Sequence, residues 1–279
     1  MALRAGLPGG AAIVRFARSG HDDHVTGAEA AGGAGPGWLS QPAEPGESAR
    51  FEFAVRSLGA AIAVRTWAPA GTKDDEALPL LVVHDGPEYD SRAGLTRYLA
   101  AGVTGGWLPR LRAALLDPGP RDRWYSASAR YARALALTVG PGLTGRVATT
   151  TTIGMGTSLG ALAMLHTHCR YPGLADAMFL QSGSFFRPVH DSHERRFGYY
   201  QRVAAFVAGV PADPGRPAPV VLTCGAVEEN LLNNRAMAAV LTTAGYPVTL
   251  HEVAGGHDWT AWRDAFDPPL SGLLRQVAR

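Results

Sequence analysis

The stretch Gly154-Met155-Gly156-Thr157-Ser158-Leu159-Gly160 follows a β-branched run from Val147 to Ile153 and precedes an apolar helical run from Ala161 to His168. A strand that hands over to a helix within so few residues needs a sharp turn. The glycines supply it, because they lack the Cβ atoms that would collide where backbone meets backbone. Inside the turn, Gly156-Thr157-Ser158-Leu159-Gly160 matches Gly-x-Ser-x-Gly, a pattern that holds a serine in a strained conformation with its hydroxyl exposed at a strand end. The pentapeptide alone says little in a chain with 34 glycines, where a glycine-rich strand-to-helix turn is the plain reading. Its weight comes from what lies downstream.

A serine hydroxyl is a weak nucleophile until a histidine accepts its proton, and that imidazole needs a carboxylate to fix its tautomer and balance its charge. The run Pro219 to Cys224 reads as a short buried strand that ends in Gly225-Ala226-Val227-Glu228-Glu229-Asn230. Either Glu228 or Glu229 can be the carboxylate, and either also fits as an acidic residue at the start of the helix that opens near Asn230. Pro247 to Val253 alternates as a strand and leads into Ala254-Gly255-Gly256-His257-Asp258-Trp259. His257 therefore lies past the last strand, whereas His251 lies within it. Serine, acid and histidine follow one another in the order known for hydrolases with a serine in such a turn. Each sits at the carboxyl end of a strand, the rim where open α/β sheets build their sites.

The 279 residues suit one large domain better than two small ones, and 46% hydrophobic residues are enough for a continuous core. A net charge of +2 without long basic runs gives no field suited to nucleic acid or to an anionic membrane. Gly6, Pro8, Gly9 and Gly10 interrupt any apolar leader, and no stretch has the length of a membrane span, so cytoplasmic residence is the expectation. Cys169 and Cys224 stand at positions that suggest buried thiols rather than a disulfide framework. The pairs His166 and His168, and His190 and His193, lack the third ligand a metal helix shows, so neither metal nor other cofactor is expected.

Residues 1–50 form a Gly/Pro/Ala-rich segment with one plausible strand at Ala12 to Phe16, expected to be an edge strand or partly mobile. Residues 51–279 read as a single domain. Phe51 to Val55 and Ala60 to Ala68 predict an antiparallel hairpin. Strands follow at Leu80 to Val83, Leu111 to Leu116, the segment before the serine turn, Ala177 to Gln181, Val220 to Cys224 and Val248 to Val253. Helices are expected near Ser91 to Ala101, Ala129 to Thr138, Glu194 to Ala208, Asn230 to Ala244 and Trp259 to Val277, with Gly119 to Ser128 a loop. This alternation predicts an α/β fold with a mostly parallel central sheet and helices on both faces.

From about Ala60 onward the chain resembles the esterase D-type esterases of the α/β-hydrolase superfamily, enterochelin esterase-like proteins above all. The residues that carry the resemblance are Val83-His84-Asp85-Gly86, Arg121-Asp122-Arg123-Trp124-Tyr125, Gly156-Thr157-Ser158-Leu159-Gly160, Gln181-Ser182-Gly183-Ser184-Phe185, Cys224 to Asn230, and Gly255-Gly256-His257-Asp258-Trp259. The resemblance implies an α/β-hydrolase fold, with Ser158 as nucleophile, His257 as base and Glu228 as acid. It also implies ester hydrolysis of a small molecule, with the trilactone of catecholate siderophores, free or as an iron complex, the leading substrate. Only about 50 loop-like residues precede the hairpin, so no counterpart to the N-terminal domain of the longer siderophore esterases is expected in them.

In the oxyanion hole the Leu159 N–H, at the start of a helix, is the first expected donor. The second is expected after the strand ending at His84, where Pro87 has no N–H to give, leaving Gly86 or Glu88. Arg121, Arg123, Trp124 and Tyr125, with Phe186 and Arg187 after another strand end, offer cations and aromatic faces for an anionic aromatic ligand. Each also has a bland reading, a solvated loop with locally paired arginines. Ser182 and Ser184 read as turn residues beneath the site, and Trp259 and Trp262 as core of the terminal helix. The competing activities are a generic carboxylesterase, a feruloyl esterase or an acyltransferase. From another class comes a non-catalytic binding protein on a hydrolase scaffold, suggested by Pro87.

Overall fold

The computed structural model describes residues 35–191 and 193–278. The strand expected at Ala12 to Phe16 lies outside the described residues. Eight strands form one sheet: β1 (Glu47–Val55), β2 (Ala60–Ala68), β3 (Leu78–Val83), β4 (Arg112–Leu116), β5 (Thr149–Thr157), β6 (Ala177–Gln181), β7 (Val220–Gly225) and β8 (Val248–Val253). Their spatial order is β1-β2-β4-β3-β5-β6-β7-β8. The β1–β2 hairpin and the β2–β4 pair are antiparallel, and every other pair is parallel. This is the mostly parallel sheet that the strand and helix alternation predicts, and the α/β-hydrolase fold that the resemblance implies.

Side chains alternate between the two faces of a strand, so each inner strand feeds two cores. Leu80, Val82, Met178, Leu180 and Leu222 point to one face. There they meet α3 (Arg121–Tyr125), α4 (Ala129–Ala134), α6 (Leu159–Arg170), α7 (Tyr200–Gly209) and α8 (Leu231–Thr243), while a short α5 (Gly140–Thr144) precedes β5. Leu81, Val83, Met155 and Phe179 point to the other face, covered by α1 (Gly86–Ala93), α2 (Leu95–Thr104), α9 (Trp259–Asp264) and α10 (Ser271–Val277). β3, β4 and β6 are buried at every position, as strands covered on both faces must be. Every residue of α6 except Arg170 is buried, because sheet and neighbouring helices enclose it. The residues around Trp38, within the segment read as loop-like, join the second core, and β1 starts at Glu47 rather than Phe51.

Three helices depart from expectation for local reasons. The one near Ser91 to Ala101 is two, α1 and α2, split by Gly94 at φ 65°. The terminal one breaks between α9 and α10 at Asp267-Pro268-Pro269, where Asp267 has φ −111° and ψ 129°, since proline lacks the donor and clashes with the preceding turn. The loop from Gly119 to Ser128 contains α3. The candidate site residues lie at the strand ends that face the loops after β3, β5, β6, β7 and β8.

Candidate active site

Ser158 alone makes the corner between β5 and α6, at φ 55° and ψ −121°. A serine in that region costs on the order of 1–3 kcal/mol, and the surroundings hold it there. Its N–H donates to Gln181 O (2.9 Å), and its C=O accepts from the N–H groups of Leu162 (3.2 Å) and Ser184 (3.1 Å). The two flanking glycines are in contact: a Cβ built on Gly156 would lie 2.5 Å from the Gly160 carbonyl carbon. Gly156→Ala is therefore expected to destabilise the fold by about 1–3 kcal/mol through overpacking and to disturb the Ser158 corner. Urea denaturation alongside an ester assay checks this, and a variant matching wild type in both would refute the close approach.

The carboxylate and imidazole meet. Glu228, three residues beyond the end of β7, is buried, and its Oε2 lies 2.8 Å from His257 Nδ1. A carboxylate only accepts, so Nδ1 carries the proton and donates it, and Nε2 of the neutral ring is the basic nitrogen. His257 is presented by the turn between β8 and α9. Gly255 bends the chain at φ 105°, and Asp258 caps α9 by accepting from the Thr260 and Ala261 N–H groups. Glu228 Oε1 accepts the Ser182 hydroxyl proton (2.6 Å) and the Gly225 N–H (2.7 Å). Burial pushes this carboxyl up, but the hydrogen bond and charge of His257, with the Ser182 and Gly225 donors, outweigh it and hold the group below the usual carboxylate range. Glu229 is exposed, and His251 stays within β8 opposite Thr223.

The loop after β6 touches both ends of the constellation. Ser184 Oγ lies 3.1 Å from Ser158 Oγ, while Ser182 Oγ is bonded to Glu228. Asn234 on α8 grips the residue between them, accepting the Gly183 N–H (3.0 Å) and donating to its C=O (3.1 Å). Trp262 donates its indole N–H to Ser182 Oγ (2.9 Å) and sets its ring edge-on to His257, with centroids 4.9 Å apart. Sequence reasoning assigned Ser182 and Ser184 only to a turn, and Trp262 only to core packing. Their partners are 26 to 80 residues away, so no local spacing pointed to these contacts.

For an oxyanion, the Leu159 N–H opens α6 and has no acceptor within the helix. After β3, Asp85 adopts φ 52° and its C=O accepts from Tyr89 N–H, so α1 begins at Gly86 with Pro87 in its first turn. Glu88 is partly buried, which pushes its carboxyl up. Gly86 and Glu88 both offer N–H groups in the first turn of α1 that have no acceptor within the helix. Gly86 also has no room for a side chain, since a Cβ there would lie 2.4 Å from Leu115 Cα.

The expected ligand-binding loop is corrected. Trp124 and Tyr125 are 2% and 0% exposed. Trp124 stacks on Tyr131, and Tyr125 accepts the Asp85 N–H through its hydroxyl oxygen (3.2 Å). Arg121 forms a two-pronged pair with the buried Asp85, Nε to Oδ1 at 2.8 Å and Nη2 to Oδ2 at 2.9 Å, which is the local pairing of the bland reading. Phe186 is buried against Tyr200 and Phe197. The reason is common to the three rings: one turn of helix, or a tight loop, carries them back into the core instead of leaving them on a solvated loop. Arg123 is exposed and Arg187 half-buried, so these two keep cations available. His166 packs on Phe206 and His168 Nε2 bonds Arg216 O at 2.8 Å. Among the described residues, no group of three His, Cys, Asp or Glu is arranged to hold a metal ion.

A family model described as Esterase, Putative esterase, matches residues 56–273. The chain belongs to that family. Solved structures of the same fold include the enterochelin esterase of Shigella flexneri, with a TM-score of 0.72 and 22% identity over 88% of this chain and 62% of that one. A ferulic acid esterase superposes with a TM-score of 0.66 at 16% identity, over 84% of this chain and 98% of the other. A fluorophosphonate-binding serine hydrolase of Staphylococcus aureus does so at 0.62 and 13%, over 85% and 100%. The esterase-family chain thus spans about three fifths of the enterochelin esterase length. No curated protein matches it. Among its described residues no helix is long and apolar enough to cross a membrane.

Proposed function

We propose that this esterase-family chain is a serine carboxylic ester hydrolase that works through an acyl-enzyme, with Ser158, His257 and Glu228 as its catalytic residues. The observation that carries the reading is the 2.8 Å bond from His257 Nδ1 to Glu228 Oε2, made at the same strand ends as a serine held in a positive-φ corner. In this reading Ser158 Oγ attacks the ester carbonyl as His257 Nε2 takes its proton. The oxyanion draws on the Leu159 N–H and on that of Gly86 or Glu88. The tetrahedral intermediate collapses as the imidazolium protonates the leaving alcohol. Water, deprotonated by the same nitrogen, then releases the acid from Ser158.

The leading specific substrate is a catecholate trilactone. Family membership and the likeness to enterochelin esterase support it, with Arg123 and Arg187 left to meet an anionic ligand. Feruloyl and simple carboxylic esters, and acyl transfer to another alcohol, are the competing chemistries. Two buried, unbridged cysteines suit a reducing compartment such as the cytoplasm.

A fluorophosphonate probe tests the reading, since only an activated serine is phosphonylated. Wild type is expected to label stoichiometrically at Ser158 and Ser158→Ala not at all, by intact-mass spectrometry. Folded wild-type protein that resists the probe would favour the binding-protein alternative. Rates on catecholate lactones, feruloyl esters and short p-nitrophenyl esters then rank the substrate classes.

A further inference from the structure

Ser182 takes no part in the acyl-transfer steps above, yet it sits where several constraints converge. It follows β6 at φ 47°, a conformation glycine would adopt without strain. The backbone is pinned there: its N–H donates to Thr223 O (2.7 Å) and its C=O accepts from Asn230 Nδ2 (3.2 Å). The strained corner aims one hydroxyl between two partners of fixed polarity. The Trp262 indole N–H can only donate, and the Glu228 carboxylate can only accept. The hydroxyl must therefore accept from Trp262 (2.9 Å) and give its single proton to Glu228 Oε1 (2.6 Å).

We propose that Ser182 is a positioning residue for the acid: the donor chain Trp262 to Ser182 to Glu228 fixes the carboxylate plane so that Oε2 faces His257 Nδ1. The inference rests on the triad reading and deepens it. The chain continues inward, since Gln181 Nε2 donates to Trp262 O (3.0 Å) and Tyr89 donates to Gln181 Oε1 (2.8 Å). The carboxylate is thus tied to β6 and to α9. The hydroxyl also tempers the carboxylate. Drawing charge toward Oε1 leaves less of it on Oε2, so the imidazolium forms when needed but is not held.

Other titratable groups near the pair are accounted for. The Cys224 thiol, at the end of β7, is pushed up by burial and by the Glu228 charge and stays neutral through the assay range. Glu252 on β8 is paired with Arg235 (2.7 Å), and Asp258 caps α9.

The test is Ser182→Gly, which deletes the hydroxyl at a φ that glycine tolerates. Kcat is expected to fall roughly 10- to 100-fold, as for loss of a hydrogen bond to a charged group, with KM and melting temperature near wild type. The acid limb of kcat/KM, where the base must lose its proton, is expected to move to higher pH. Without the Ser182 proton the carboxylate favours the imidazolium more strongly. Trp262→Phe, which keeps the ring but not the N–H, should lower kcat less, and should add nothing in the Ser182→Gly background. Wild-type kcat and an unmoved limb in Ser182→Gly would overturn the proposal. So would a loss of activity that tracks a lowered melting temperature with the limb unmoved, because that is a structural role. Ser158→Ala and Glu228→Gln are assayed in parallel. If they keep turnover the triad reading falls and takes Ser182 with it. If they lose turnover while Ser182→Gly keeps it, only the positioning role falls.

Discussion

Glu228→Gln is expected to lower kcat by about 10³- to 10⁴-fold, the size seen when a triad acid becomes its amide, while the fold survives. In the proposed mechanism the amide cannot neutralise the imidazolium that forms as Ser158 attacks. A second effect compounds the first. If the amide NH₂ faces His257 Nδ1, it needs a lone pair there, which places the ring proton on Nε2, the nitrogen that must accept the serine proton. Hydrogen bonds from Ser182 and Gly225 to Oε1 favour the amide oxygen on their side and so turn the NH₂ toward the ring. Glu229→Gln, at an exposed position, should leave kcat within about twofold, as surface changes usually do. Steady-state kinetics on one ester with both variants decides, and the reverse ranking would transfer the acid role to Glu229.

Stability should drop by roughly 2–3 kcal/mol between pH 7 and pH 4.5 on account of His84 alone. His84 ends β3, is 0% exposed and has no hydrogen-bond partner at either ring nitrogen. Its ring lies against Tyr125 and Tyr131. Burial lowers this imidazole from 6.5 to about 4, against the opposing pull of Asp85. The unfolded chain therefore binds a proton below about pH 6.5 that the folded protein refuses until about pH 4, and acidification through that window favours unfolding. His166, also buried and lowered to about 4, acts in the same sense. Glu228 does not contribute here. Its carboxyl is lowered from 4.5, so the stability it adds is present above that pH and is lost only as pH falls through its folded value. Chemical denaturation of wild type and His84→Leu at pH 7 and pH 4.5 provides the measurement. Leucine suits a site without polar partners, and its variant should lose roughly 2–3 kcal/mol less on acidification. Equal losses would show that the buried imidazole is protonated in the fold.

The architecture was legible because period-two burial and short apolar runs mark strands, and because each strand end announces itself with Gly, Pro or Asp. The Ser158 corner and the order of Glu228 and His257 were legible for a related reason, since each needs a local turn that leaves a signature. What escaped was the network that joins them. Ser182 and Trp262 meet across 80 residues, and nothing in a Ser-Gly-Ser loop or an aromatic helix says that a hydroxyl and an indole share a carboxylate. The loop from Arg121 to Tyr125 misled because mixed charge and aromatics look solvated. A single helical turn instead buries its two rings and ties its first arginine to Asp85. The split of the terminal helix was written in Pro268-Pro269, where the apolar pattern on either side masked the missing donors.

The triplet Ser182-Gly183-Ser184 acts as a ruler of fixed length. One end binds Glu228, the other Ser158, and Asn234 clips the middle by both of its backbone polar groups. A residue inserted there would unhook one end whichever way the chain adjusted. An insertion is therefore expected to be tolerated only in stretches beyond it, such as the span from Phe185 to α7, where added length leaves these contacts in place.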